Sequence, residues 1–228
     1  MEISPLHEWN LTPREALQLQ KDLASQVNLQ NPLKVDDLHL VAGVDVSVRR
    51  NSENVEMSQA AVVVMRYPSF EVVEVVRSSM PTPFPYIPGL LSFREGPVLV
   101  NAFQQLQNVP NVFIFDGMGI AHPRHLGIAA HLGLWLKKPT IGCGKTWLFG
   151  RHDPVGEERG SFSWMMDKNE KIGAAVRTRT RVKPVYISPG NLVDIESAIA
   201  VVFACTPRFR LPEPIRAAHN AAGEGMNL

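Results

Sequence analysis

Cysteine is scarce in this sequence, with only Cys143 and Cys205 among 228 residues. Two cysteines cannot build a disulfide framework or, by themselves, a zinc site, which fits a reducing compartment. No apolar run approaches the roughly 20 residues that a membrane helix needs, and the start, MEISPLHEWN, lacks the basic and apolar layout of a signal peptide. These absences predict a cytoplasmic protein with no membrane partner.

An excess of charge of one sign is also missing. The 23 lysines and arginines nearly balance the 22 aspartates and glutamates, and a net charge of +1 gives no global electrostatic case for a nucleic-acid partner. A local case exists in VRTRTRVKP, where basic residues recur at every second position: Arg177, Arg179, Arg181 and Lys183. In a strand they would form a basic stripe on one face, which is also how edge strands avoid pairing.

The remaining composition is that of an ordinary globular protein, with 45% hydrophobic and 20% charged residues. A chain of 228 residues suits one large domain. Because no repeat, low-complexity tract or linker divides it, we predict a single domain over residues 1–228.

The order of the predicted elements indicates a mixed α/β fold, in which helices flank a mixed sheet. An amphipathic helix is expected over 12–29, opened by a Thr-Pro start signal. Short segments rich in β-branched residues then predict an antiparallel meander: 38–48, 59–67 and 71–80. Alternating patterns predict parallel strands joined by crossover helices: helices 98–107 and 125–136, strands 111–117 and 139–146. A strand near 171–179, a helix over 192–206 and a short terminal helix after 215 complete the chain.

Three carboxylates stand out by their positions. Asp45 lies inside VAGVDVSV, a strand whose composition indicates burial, on the face opposite its apolar neighbours. Asp116 follows the apolar run VFIF, so it lies at the carboxyl end of a predicted parallel strand, where open α/β sheets bind ligands. Glu95 lies at the start of a predicted helix, where Ser92 also makes a capping box an alternative explanation.

Together these carboxylates predict a metal site, although each alone has a structural explanation. Hard oxygen ligands that converge at the edge of a sheet suit Mg²⁺ or Mn²⁺. Such an ion can orient a phosphodiester, activate water and stabilise the departing oxygen, so the chemistry indicated is phosphodiester hydrolysis.

Lys145 in GCGKT resembles the end of a phosphate-binding loop, but the full pattern is absent. The motif needs glycine at position 139, and this sequence has Pro139, which lacks an N–H and cannot adopt the required backbone geometry. Lys145 is therefore interpreted as a single positive charge for a phosphate, with a surface lysine as the alternative.

The stretch PFPYIPGLLSFREGP surrounds one aromatic side chain with prolines. Proline fixes φ and restricts the preceding residue, so Pro83, Pro85 and Pro88 predict a rigid loop around Tyr86. Two interpretations remain open at this point: Tyr86 is a positioned functional side chain, or Tyr86 and Ile87 fill a core beneath the loop.

These segments together resemble the endonuclease V family over nearly the whole chain. The resemblance is carried by VAGVDVS, PYIPGLLSFRE, FDGMGIAHPRHLGIAAHLG, GCGKT and RLPEPIRAAH, in that order. The sequence departs from the family pattern just before Lys145, where it has GCG in place of a bulkier pair of residues.

The resemblance implies an RNase H-like fold and a monomeric, Mg²⁺-dependent endonuclease, with Mn²⁺ as a substitute. The expected substrate is DNA with a deaminated base, chiefly deoxyinosine, hydrolysed at the second phosphodiester 3′ to the lesion to leave 3′-OH and 5′-phosphate ends. The alternatives are an inosine-specific ribonuclease of the same fold and a binding module that does not cleave. A module that only binds would not need Asp45, Asp116 and Lys145 together.

The resemblance also implies residue roles. Asp45 and Asp116 would be the principal metal ligands and Glu95 a further ligand, while Lys145 would stabilise charge on the scissile phosphate. His219 would assist water activation or the leaving group. A rigid wedge would fill the gap left by an extruded nucleotide, and its residues would be Pro85, Tyr86, Ile87 and Pro88. A pocket would bind the extruded base, and its residues would be Gly89, Leu91, Gly117 and Ile128.

Overall fold

The structure, a computed structural model, describes residues 1–224. Residues 225–228, the end of the predicted single domain, lie outside the described residues. The helices are α1 Pro13–Ala24, α2 Leu91–Gln104, α3 Ile128–Leu136, α4 Ile195–Ala204 and α5 Glu213–Gly223, with a 3₁₀ turn at Val35–Asp37. The strands are β1 Leu40–Arg50, β2 Glu56–Arg66, β3 Glu71–Pro81, β4 Val112–Phe115, β5 Thr140–Gly144, β6 Phe162–Asp167, β7 Glu170–Val176 and β8 Val185–Asn191.

All eight of these strands form one sheet in the order β3-β2-β1-β4-β5-β8-β7-β6. The predicted meander is confirmed, because β1, β2 and β3 pair antiparallel in sequence order. The predicted parallel half is confirmed for β1 with β4 and for β4 with β5. The sheet is therefore mixed, with helices on both of its faces.

At the far end of the sheet, β7 confirms the strand predicted near 171–179, whereas β6 and β8 were not predicted. β8 pairs antiparallel with β5, and β7 joins β8 to β6 in a second antiparallel meander. β8 contains Pro189 and Gly190, and a proline that cannot donate to the ladder argues against a strand from sequence. The structure accommodates Pro189 opposite Ile141, at an irregularity in the register.

The predicted basic stripe is wrong because β7 ends at Val176. Arg177 turns inward and donates to the carbonyl oxygens of Val155, Gly156 and Val182. Arg181 has a φ of 59°, which breaks the extended geometry that a stripe requires.

Helix boundaries differ from the sequence prediction in two instructive places. In α1, Thr12 and Glu15 form a reciprocal capping box, but the helix ends at Ala24 rather than at residue 29. α2 begins at Leu91, seven residues before the predicted 98, and continues through Pro97. Burial of the residues before Pro97 outweighs the hydrogen bond that a proline removes. Ser92 therefore lies inside the helix, and the capping-box explanation for Glu95 is wrong.

Each face of the sheet covers its own hydrophobic core. α4 and α5 pack on the side of Val41, Ile114 and Ile141. α2 and α3 pack on the other side, over Val44 and Phe115. Asp45 follows Val41 at a spacing of four residues and so projects toward the side of α5.

Within residues 1–224, no helix has the length and apolar character needed to cross a membrane.

Candidate active site

Asp45 and Asp116 lie side by side because their strands are parallel neighbours. The residues just before them, Val44 and Phe115, are partners in the β1–β4 register. The backbone N–H of Asp116 donates to the carbonyl of Val44 over 3.0 Å, which extends the pairing one residue beyond β4. Two carboxylates are thus brought to one edge of the sheet, as the sequence predicted.

A lysine and a histidine face these carboxylates. Lys145 follows β5, the next parallel strand, and its Nζ lies 2.5 Å from Oδ2 of Asp116. His219 on α5 has its Nδ1 2.7 Å from Oδ2 of Asp45. The aspartate side chains are nearly buried, whereas that of His219 is 61% exposed, so a substrate can reach the imidazole from solvent.

The close packing of α5 on β1 depends on Gly43. A Cβ added to Gly43 would lie 1.8 Å from the carbonyl oxygen of Pro214, at the start of α5. Because Asp45 is two residues further along the same face of β1, this close approach also sets how near His219 comes to Asp45.

We expect Gly43→Ala to push α5 away from the sheet. Overpacking against backbone costs about 1–3 kcal/mol, and the displaced helix should also weaken the contact between His219 and Asp45. Urea denaturation gives the loss of stability. Gly223→Ala is a matched control, since its added Cβ would lie 3.7 Å from its nearest neighbour, an ordinary contact with Arg49. Equal stability of Gly43→Ala and wild type would contradict the packing described.

Within the candidate active site, the positive groups of the protein do not fully compensate the negative charge of the carboxylates. Burial, and then the charge of Asp116, raises the pKa of Asp45. Glu95 lies in the second turn of α2, and burial, followed by the charge of Asp45, raises its pKa to about 8. Both shifts have the direction expected when carboxylates converge without enough positive charge.

This donor set fits a divalent cation. Asp45, Asp116 and His219 each offer one ligand atom, and these atoms lie within 4.8 Å of one another. Carboxylate oxygens are the ligands that Mg²⁺ and Mn²⁺ prefer, and a positive ion would relieve the repulsion among the acids. Glu95 is outside this group of three, so its role as a further ligand stays a prediction.

The proline loop, residues 83–90, presents Tyr86 to solvent. Tyr86 is 71% exposed, which excludes the interpretation that its ring fills a core. That interpretation holds for its neighbour Ile87, which packs with Phe84, Leu90 and Phe93. The loop therefore has an anchored base and a free aromatic tip.

The end of the proline loop is clamped through one carbonyl group. Side chains of Gln20, His122 and Arg124 all lie within hydrogen-bonding distance of the carbonyl oxygen of Gly89, at 2.8–3.0 Å. Burial lowers the pKa of His122 to about 4, so it is neutral here. Gly89 has a φ of +80°, a conformation that favours glycine. Rigidity of the loop thus comes from this clamp as well as from its prolines.

A cavity lies beneath the proline loop and contains most of the predicted pocket residues. Gly89, Leu91 and Ile128 line it. Gly117 is outside this lining and lies next to it, where an added Cβ would meet Cγ2 of Ile128 at 2.6 Å. Of the four residues predicted to form a wedge, Tyr86, Ile87 and Pro88 form part of the wall, while Pro85 precedes them in the loop. Further lining residues were missed from the sequence: Gln20, Ser92, Met118, His122, Leu126, Gly127 and Leu148.

The sequence profile of the family described as Endonuclease V matches residues 21–220. The chain belongs to the endonuclease V family. It is 47% identical to Endonuclease V of Dehalococcoides mccartyi over 98% of both chains. It is accordingly a nuclease that acts on phosphodiester bonds.

Solved structures of endonuclease V confirm the RNase H-like fold. The Bacillus subtilis protein superposes with a TM-score of 0.93 at 32% identity, covering 98% of this chain and 96% of that one. A Ciona intestinalis Endonuclease V superposes with a TM-score of 0.80 at 26% identity, covering 93% and 97%. That protein was solved with a 23mer DNA containing an inosine followed by a ribo-adenosine.

The clamp residues left no local signal in the sequence. Gln20 is a polar residue on a helix whose other buried positions are apolar or small, and its partners Gly89 and Arg124 lie 69 and 104 residues away. A buried glutamine is uncommon without a hydrogen-bonding partner. Its position on the apolar face of the helix could therefore have suggested a structural role, but not the identity of the partner.

Proposed function

We propose that this endonuclease V is a metal-dependent DNA repair enzyme that recognises deaminated bases, chiefly deoxyinosine, and hydrolyses the second phosphodiester 3′ to the lesion. The observation that carries the proposal is the continuity of two sites. The acidic cluster, Asp45, Glu95 and Asp116, adjoins the cavity along the chain: Asp116 lies two residues before Met118, and Glu95 lies one turn beyond Leu91 and Ser92 on α2. A base held in the cavity would place its own strand beside the carboxylates.

Binding is proposed to begin with extrusion of the damaged nucleotide. The exposed ring of Tyr86 lies at the wall of the cavity and is suited to occupy the gap in the base stack. Anchoring through Gly89 matters because ordering a mobile loop costs conformational entropy, and this cost would reduce the free energy available to unstack the bases. The inosine-containing DNA bound by the Ciona relative supports this substrate class.

Asp45 and Asp116 would hold the cation, with Glu95 on α2 as a further ligand. A divalent cation held there would orient the phosphodiester and stabilise the departing oxygen. Lys145 is placed to stabilise negative charge that develops on the scissile phosphate. The imidazole of His219, oriented by Asp45, would take a proton from the attacking water or give one to the leaving 3′-oxygen. Cleavage of the P–O3′ bond leaves 3′-OH and 5′-phosphate ends.

We also propose that residues 1–228 act as one domain and as a monomer. The eight described strands share one sheet, and both hydrophobic cores pack against it. Sedimentation of the free protein tests the monomer, which a stable dimer would contradict.

Cleavage of inosine-containing RNA is a second candidate. The DNA in the Ciona complex carries a ribo-adenosine after the inosine, so a relative of this fold accommodates a ribonucleotide next to the lesion. Three matched strands separate the two functions: all-DNA, all-RNA and DNA with one ribonucleotide 3′ to the inosine.

Gel-resolved cleavage of these strands, with Mg²⁺ or with chelator, tests the proposed function. We expect cutting one nucleotide beyond the inosine, dependent on metal and absent from a matched strand with adenine. Binding to inosine strands without any cutting by folded wild-type protein would contradict the nuclease mechanism.

We expect Gln20→Leu to loosen the proline loop. The change removes donors to Gly89 and Leu126 and leaves the Nε–H of Arg124 without its acceptor, which costs about 1–3 kcal/mol of unfolding free energy. Cleavage of an inosine duplex should fall several-fold, while a single strand, which needs little unstacking, should lose less. Gln18→Leu changes an exposed glutamine of the same helix and serves as the control. Equal losses on duplex and single strand would show that the clamp does not position the wedge.

A further inference from the structure

A chain of hydrogen bonds runs from the partly exposed N-terminal segment to the cavity. Nδ1 of His7 lies 2.9 Å from the carbonyl oxygen of Glu8, and its Nε2 lies 2.7 Å from Nε2 of His131. Nδ1 of His131 then lies 2.8 Å from Oγ of Ser92, a lining residue of the cavity. The middle of this chain is inaccessible, since His131 is fully buried and Ser92 is 1% exposed.

The proton positions at the outer end are fixed by two groups whose roles cannot change. The Glu8 carbonyl can only accept, so Nδ1 of His7 carries a proton. The indole N–H of Trp135 can only donate, and it lies 3.2 Å from Nε2 of His7. Nε2 of His7 is therefore an acceptor, and His7 is a neutral ring with its proton on Nδ1.

These positions determine the direction of every further hydrogen bond. Since Nε2 of His7 carries no proton, Nε2 of His131 must donate its own across the 2.7 Å contact, and this donor shares the single lone pair of the His7 Nε2 with the more distant Trp135 N–H. Burial lowers the pKa of His131 well below its usual value, so the ring is neutral and Nδ1 has no proton. Ser92 must then donate its hydroxyl proton to His131.

The Ser92 hydroxyl is left with oxygen lone pairs and no proton for the cavity. Within residues 1–224, its oxygen makes no other side-chain hydrogen bond. A hydroxyl normally donates or accepts as its partner requires, because it rotates freely. Here the His7–His131 pair removes that choice and makes Ser92 an acceptor.

A hydrogen-bond acceptor in the cavity can distinguish adenine from hypoxanthine, because deamination changes the hydrogen-bonding edge of the base at N1 and C6. Hypoxanthine carries a proton on N1 beside its 6-oxo group, whereas adenine has a lone pair on N1. We propose that Ser92 is a specificity-determining residue whose oxygen accepts the N1–H of an extruded 6-oxopurine and disfavours the N1 lone pair of adenine. This inference rests on the proposed function of the cavity as a base pocket. Guanine shares the N1–H, so its exclusion must depend on its 2-amino group.

Matched strands carrying either inosine or unsubstituted purine test the proposal. Unsubstituted purine has the ring of hypoxanthine but a lone pair on N1. Equilibrium binding in chelator, and single-turnover cleavage in Mg²⁺, give the inosine-to-purine ratio. Wild-type binding and cleavage of the inosine strand check the proposed function separately.

We expect Ser92→Ala to weaken inosine binding about tenfold with little effect on purine, because one buried hydrogen bond is lost. The inosine-to-purine ratio should therefore fall. Ser58→Ala, a buried serine of β2 that is bonded to Thr82, should leave the ratio unchanged. An unchanged ratio in Ser92→Ala would overturn the proposal, since a merely structural loss would weaken both substrates equally.

His131→Phe tests the chain itself. Without its acceptor, the Ser92 hydroxyl can turn and donate into the cavity, so purine binding should improve while inosine binding falls. In the Ser92→Ala background the same change should not alter the ratio. His7→Phe, at a less buried position, provides a second variant should His131→Phe fold poorly. Retention of the wild-type ratio by a folded His7→Phe and by a folded His131→Phe would overturn the assigned polarity.

Discussion

Asp45→Asn is expected to cleave an inosine strand on the order of a thousandfold more slowly than wild type, equivalent to several kcal/mol of lost transition-state stabilisation. The change keeps the shape of the side chain and an oxygen for the Val46 N–H, but it removes one of the charges that would hold the cation. It also removes the anionic partner of His219. Single-turnover cleavage in saturating Mg²⁺ measures the effect.

The same variant should not be less stable than wild type in chelator. The pKa of Asp45 is raised by burial and by Asp116, so the charge is unfavourable in the folded state until a cation is present. Chemical denaturation with and without Mg²⁺ separates the two effects. Asp37→Asn, at an exposed residue of the 3₁₀ turn, is the matched control and should match wild type in both assays. Full cleavage by Asp45→Asn would refute the assignment of Asp45 as a ligand.

Tyr86→Ala is expected to lower cleavage of an inosine duplex by about 10- to 100-fold, since stacking of one aromatic ring on a base is worth about 1–3 kcal/mol. Loss of packing should be negligible because the ring is 71% exposed. Cleavage of an inosine single strand should change little, because no base pair must be opened. The duplex-to-single-strand ratio of rates is the decisive measurement.

Two further variants define the cause of that effect. Tyr86→Phe keeps the ring and should restore duplex cleavage, whereas Phe162→Ala, at an exposed aromatic of β6, should leave the ratio as in wild type. If Tyr86→Ala reduces cleavage of both substrates equally, the ring acts in binding the strand and not as a wedge.

The clamp and the histidine chain connect α1 and the N-terminal segment to the cavity proposed to bind the base. Gln20 on α1 reaches Gly89 at the base of the proline loop, and His7 reaches Ser92 through His131. Neither contact involves the acidic cluster. If the proposed function is correct, specificity and chemistry are controlled from different parts of the fold, and variants of Gln20 or His7 should alter substrate preference more than metal dependence.

The sequence by itself determined the elements whose signals are local. The meander of β1 to β3, the buried strands before Asp116 and Lys145, and the Thr-Pro start of α1 all follow from short-range patterns of polarity and turn residues. The acidic cluster could also be predicted, since Asp45 and Asp116 end up together once β1 and β4 are parallel neighbours. Proline spacing was enough to indicate a stiff loop around Tyr86.

Tertiary structure alone decided the features that join distant residues. It made β8 a strand despite Pro189, ended β7 before the arginines, and started α2 at Leu91 because burial outweighed the cost of Pro97. It also fixed the direction of the hydrogen bond from Ser92 through a histidine 124 residues from His7. The physical reason is the same in each case: local propensities amount to fractions of a kcal/mol for most residues and about 3 kcal/mol for proline in a helix, whereas burial and hydrogen bonding depend on partners that only the folded chain supplies.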